Sequence, residues 1–180
     1  VRSRRQRQMC IRDSHYGTLE HGDYSSVSIA DIENASWATR YLIENGHRRI
    51  AALVPSCSDR SISELRYNGY LAALREHGID FDSRLLVETG GCFGMAETYD
   101  GARRLVESGA YFTALFALSD TTAIAAMKAL EDHGVRIPED VSVIGIDGLS
   151  VSEYVSPTLT TMIQPAEEMG RESVRILLDM

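Results

Sequence analysis

Two carboxylates (Asp120, Asp147), two guanidinium groups (Arg60, Arg66) and one aromatic ring (Phe93) stand out in this 180-residue chain as side chains suited to chemistry on a small molecule. Ionised carboxylates accept hydrogen bonds from adjacent hydroxyls, a guanidinium donates a planar fork, and an aromatic face covers C–H groups. Such a set suits a polyhydroxylated ligand held in a cleft. Each residue also has a plainer role open to it. Asp120 precedes a predicted helix and suits an N-cap, and Asp147 before Gly148 suits a turn. Phe93 suits a core, Arg60 a solvated loop, and Arg66 the outward face of a helix. The ligand reading is favoured because all five fall in or beside loops that follow predicted strands.

The elements that position these loops are marked by glycine. Gly46, Gly78, Gly109 and Gly134 each follow an amphipathic stretch, where a left-handed residue ends a helix. They are spaced 32, 31 and 25 residues apart, and a βα unit takes roughly 30 residues. Strands are predicted at 49–54, 85–88, 112–117 and 141–146, continuously apolar as parallel strands covered on both faces must be. Helices are predicted at 33–45, with Ala38, Tyr41 and Leu42 inward, and at 62–77, with Leu65, Leu71 and Leu74 inward. Two more are predicted at 95–108 and 121–133. Pro165 suits the first turn of a final helix whose Met169, Ile176 and Leu177 face inward. The fold class is α/β, an open, doubly wound parallel sheet. In such a sheet ligands bind beyond the carboxyl ends of the strands. That places residues 56–62, 92–94, 119–120 and 147–148 at the site.

Charge and composition narrow the function classes. The formal net charge is −8; residues 1–14 carry +4, which leaves −12 on the remainder. An acidic body of this kind repels a phosphate backbone. No apolar run exceeds five residues, as at 50–54 and 114–118, far too short for a membrane span. Cys10, Cys57 and Cys92 form neither a disulfide scaffold nor a CxxC pair. There is no HExxH, no GxSxG and no glycine loop closing on Gly-Lys, so no enzyme activity and no cofactor are expected. His47, His77 and His133 each lie beside a helix-ending glycine, where capping suits them better than catalysis. The stretch from Met9 to Ser14 reads as the translation of a transposon-end sequencing adapter, so residues 1–14 are expected to be non-native.

Several motifs then form one pattern. Gly46-His47-Arg48-Arg49-Ile50 is followed by Glu64-Leu65-Arg66 with Gly69-Tyr70, and by Ser119-Asp120. Next come the run from Ile137-Pro138-Glu139-Asp140-Val141 to Gly145-Ile146-Asp147, then Pro157-Thr158-Leu159-Thr160-Thr161 and Gln164-Pro165. Over residues 24–180 this closely resembles the effector-binding region of lactose-repressor/galactose-repressor family transcription regulators. The resemblance implies a two-lobed, periplasmic binding protein-like module of type I, of which this chain is mostly the second lobe. It implies ligand contacts by Asp147, by Arg66 from a loop-helix junction and by Phe93 as a stacking ring, with Arg60 and Asp120 at neighbouring cleft positions. Where relatives often read Asp-Asn, this chain has Ala30-Asp31.

The organisation expected is residues 15–30 as the end of the first lobe and a crossover, 31–163 as the second lobe, and 164–180 as a second crossover and a truncated helix of the first lobe. The function expected is effector (sugar) binding in a cytoplasmic, homodimeric regulator that meets operator DNA through a separate N-terminal domain. No membrane partner is expected. The alternatives are a periplasmic sugar-binding protein of an uptake system, and an enzyme using Asp120 and Asp147 as an acid/base pair. Truncating Asp147 or Arg66 is expected to weaken ligand binding by roughly 2–4 kcal/mol and to leave folding nearly unaffected.

Overall fold

Side chains alternate across the central strands between two apolar faces, and the chain builds a core on each. The computed structural model describes residues 27–55, 62–90 and 94–178. In chain order these form α1 (Asp31–Glu44), β1 (Ile50–Pro55), α2 (Ile62–Glu76), β2 (Leu86–Thr89), α3 (Met95–Glu107), β3 (Ala114–Ala117), α4 (Asp120–Asp132), β4 (Ser142–Asp147), β5 (Thr160–Ile163) and α5 (Ala166–Leu178). The strands form one parallel sheet in the order β2-β1-β3-β4-β5. The winding direction reverses between β1 and β3, whose carboxyl ends therefore flank the crevice where such sheets bind ligands.

On one face Ile50, Ala52, Phe116, Leu118, Ile144 and Ile146 meet Ala38 and Leu42 of α1 and Tyr70 and Leu74 of α2. Tyr70 anchors this layer: its ring stacks on Phe116 at 6.0 Å and its hydroxyl donates to the Ile50 carbonyl at 2.9 Å. On the other face Ala51, Leu53, Leu115, Ala117 and Val143 meet Ala102 and Leu105 of α3 and Ala126 and Leu130 of α4. α1 and α2 lie close because Gly69 has no side chain; a Cβ there would stand 2.8 Å from that of Ala35.

The four glycines expected to end helices all take positive φ, from +63° to +93°. Two of the three adjoining histidines cap as expected. His77 and His133 donate Nδ1–H to the carbonyls of Ala73 and Ala129, at 2.9 and 2.8 Å. His47, on the far side of its glycine, instead lies with Nδ1 3.0 Å from the Thr113 hydroxyl.

Three expectations need correction. Tyr41 is exposed, because the buried stripe of α1 runs through Asp31, Ala35, Ala38 and Leu42, and Tyr41 lies outside it. Leu177 is exposed, and Met169 and Ser173 are the buried side chains of α5. Of Leu65, Leu71 and Leu74, only Leu74 lies on the buried stripe of α2, which runs through Ile62, Ser63, Arg66, Tyr70 and Leu74, while Leu65 and Leu71 are half-buried. β5 is an additional strand. It reaches β4 through a connection whose regular structure is a single 3₁₀ turn, Ser150–Glu153.

Candidate functional site

Arg66 sits one turn into α2, which starts just beyond the carboxyl end of β1, so a long side chain there can reach along the sheet edge. Its Nε donates to Oδ1 of Asp31 at 2.8 Å, and both side chains are only 3% exposed. Nη1 donates to the carbonyl of Leu118, just past β3, and to Oδ1 of Asp147 at 3.1 Å. One guanidinium thus ties the start of α1 to the ends of β3 and β4.

Asp147 is the last residue of β4. Its φ of +144° makes it the only non-glycine residue with positive φ among the described residues. Held conformations of this kind cluster at ligand clamps. Gln164, just after β5, fixes it from the other side. Its Nε2 donates to Oδ1 at 2.5 Å and its backbone N–H donates to the Asp147 carbonyl at 3.2 Å. The Asp147 side chain remains 24% exposed against 3% for Arg66, so it is the more accessible of the two to a ligand. Burial pushes its carboxyl above the usual carboxylate range, against the opposing pull of Arg66.

Asp120 occupies the neighbouring position but is fully buried. Its carboxylate accepts from the Leu149 N–H at 2.7 Å, from the Ser152 hydroxyl at 2.9 Å and from the Thr161 hydroxyl at 2.5 Å. Gly145 makes room for it, since a Cβ there would lie 2.6 Å from Oδ1. Ser119, rather than Asp120, caps α4. It forms a capping box with Thr122. Asp120 therefore holds the β4–β5 connection in place and is not positioned to exchange a proton with a ligand, which removes the acid/base pairing with Asp147.

The structure thus brings Arg66 and Asp147 together and sets Asp120 beneath the loop that follows them; Arg60 and Phe93 lie outside the described residues. Asp31 and Gln164 join the cluster without having been singled out for it. The signal for Asp31 is its place at the head of the apolar spacing 31, 35, 38, 42, since a carboxylate on a buried stripe requires a buried partner. A cavity of about 360 Å³ lies nearby, lined by Val27, Ile29, Asn34, Pro165 and Met169 among others. It separates the two segments that flank the sheet and is not itself at the Arg66–Asp147 cluster. Among the described residues no cluster of three or more His, Cys, Asp or Glu is arranged to hold a metal, and no helix is long and apolar enough to cross a membrane.

Comparison with known proteins places this geometry among relatives. Residues 39–180 match the family model of the periplasmic binding protein-like domain. The HTH-type transcriptional regulator MalR of Clostridium butyricum is 37% identical over 157 residues, which is 87% of this chain and 46% of MalR. The solved complex of the transcriptional regulator CelR with cellobiose is 38% identical, with a TM-score of 0.79 over 86% of this chain and 46% of CelR. A LacI family transcriptional regulator from Enterococcus faecium, solved with bound ribose, is 33% identical. Its TM-score is 0.79, over 89% of this chain and 58% of that protein. The chain spans about half the length of the curated relatives it matches.

Proposed function

Since the chain belongs to the periplasmic binding protein-like family, and within it to the effector-binding domains of LacI-type transcriptional regulators, we propose that it binds a sugar effector and thereby sets the DNA affinity of a cytoplasmic regulator. The single observation that carries this is the Arg66–Asp147 pair at the edge of the sheet. A guanidinium and a partly exposed carboxylate in hydrogen-bonded register offer the donors and acceptors that buried sugar hydroxyls need. Arg60 and Phe93 complete the site in this reading, as a further donor and a stacking face. Asp120 is a positioning residue that shapes the loop after Asp147. The regulators among the relatives leave the periplasmic uptake alternative without support.

Residues 31–163 act as one lobe in this reading, and the segments 27–30 and 164–178 lead to the other. The supporting observation is that α5 contributes to neither core cluster of the sheet. A ligand that bridges the two lobes shifts the population between open and closed arrangements, and any preference of DNA for one arrangement couples the two sites. The working unit is a homodimer. Leu149, Val151 and Tyr154 stand exposed together on the β4–β5 connection, with Tyr154 at 84%, as an apolar face that a second copy suits.

The test uses the intact regulator and a panel of ribose, maltose, cellobiose and glucose. Calorimetric titration is expected to find a binding member, and that member is expected to change operator affinity in an anisotropy assay. A panel without a binder, or a binder that leaves operator affinity unchanged, overturns the reading.

A further inference from the structure

We propose that Asp31 makes this site selective for uncharged polyhydroxylated ligands, by neutralising the guanidinium that a phosphate or carboxylate group would seek; the proposal rests on the ligand-binding reading of Arg66 and Asp147. A lone arginine at a sheet edge attracts anions, because its fork matches two oxygens of a phosphate or carboxylate. Here two of the three guanidinium nitrogens are already engaged. Nε meets the Asp31 carboxylate at 2.8 Å, out of contact with solvent, and Nη1 meets Leu118 and Asp147. Among the described residues Arg66 is accompanied by three carboxylates, those of Asp31, Asp147 and Asp120, which leaves a formal charge of −2 around the cleft edge.

The residues between β1 and α2 and between β2 and α3 that lie outside the described ones add no net charge in sequence. Residues 56–61 contain Asp59 and Arg60, which cancel, and residues 90–94 contain no charged side chain. A phosphate monoester adds about −1.5 to −2 charges near neutral pH, and bringing it beside this cluster sets like charges together where burial weakens screening. A sugar hydroxyl meets no such opposition. It donates to Asp147 and accepts from Nη2 of Arg66, which makes no hydrogen bond to any described residue. The role of Asp31 is therefore electrostatic: it holds Arg66 as a hydrogen-bond donor while cancelling its charge.

The experiment compares paired ligands on the intact protein: ribose with ribose 5-phosphate, and glucose with glucose 6-phosphate. It is run on the wild type and on Asp31→Asn, which keeps an acceptor for Nε without the charge. The wild type is expected to favour the neutral member of any pair it binds by at least about 100-fold. In Asp31→Asn the ratio of the two affinities is expected to move toward the phosphorylated member by at least about ten-fold. A parallel arm needs no sugar: thermal melts in inorganic phosphate against chloride at matched ionic strength. Phosphate is expected to raise the melting temperature of Asp31→Asn and not that of the wild type. Should no sugar bind, the ligand reading falls while the phosphate arm still decides the charge claim. A wild type that binds a phosphorylated sugar as tightly as its neutral partner overturns the proposal even if the variant does not fold. So does phosphate protection equal in both proteins.

Discussion

The cost of losing Arg66 is set by what it leaves behind. Truncation to alanine strands the Asp31 carboxylate, which is 3% exposed, and breaking a buried pair from one side costs roughly 3–5 kcal/mol. Arg66→Ala is therefore expected to lower the urea midpoint sharply, against the sequence-based expectation that folding would be nearly unaffected. Asp147 behaves in the opposite way. Burial raises its pKa in the folded chain, so the stability it contributes is complete below the ordinary carboxylate value and is lost as pH rises through the raised one. Above that raised value the ionised group is a net cost that asparagine removes. Asp147→Asn is expected to melt no lower than the wild type at pH 7, with any gap closing on acidification toward pH 4, while calorimetry shows ligand affinity weakened by roughly 2–4 kcal/mol. The sequence pointed to both residues through their places after strands and at a helix start. It did not reveal the buried pairing of Arg66 with Asp31, because that carboxylate lies 35 residues earlier in the chain.

At the scale of elements, the β4–β5 connection depends on a single buried side chain. Asp120 accepts from a backbone N–H and two hydroxyls of this segment and the strand beyond it. Asp120→Ala leaves three donors without their acceptor and is expected to cost about 3 kcal/mol or more. Hydrogen exchange is the direct check: the Leu149 amide should lose protection while amides of β1 and β3 keep theirs. Helices and central strands were legible because glycine punctuates them and because strands covered on both faces are continuously apolar. β5 was not, since Thr160 and Ile163 are exposed and an edge strand of four residues carries no apolar run. The burial of Asp120 was equally hidden, as it depends on the empty space at Gly145, a feature of packing and not of local pattern.

At the scale of the whole molecule, charge governs what the chain meets. With −12 beyond residue 14, residues 15–180 alone are expected to show no sequence-specific retention on operator DNA at physiological salt, as a filter-binding assay would show. The relay from Asp31 through Arg66 and Asp147 to Gln164 has a consequence for connectivity. It places the residue where the chain begins α1 and the residue where it leaves β5 at the two ends of one short hydrogen-bonded path. A body whose chain arrives and departs at the same spot tolerates having its ends joined there and new ones opened elsewhere. A circular permutant of residues 31–164, with a short glycine-serine linker between 164 and 31 and new termini at the exposed turn around Gly109, is expected to unfold cooperatively and to retain the parallel sheet.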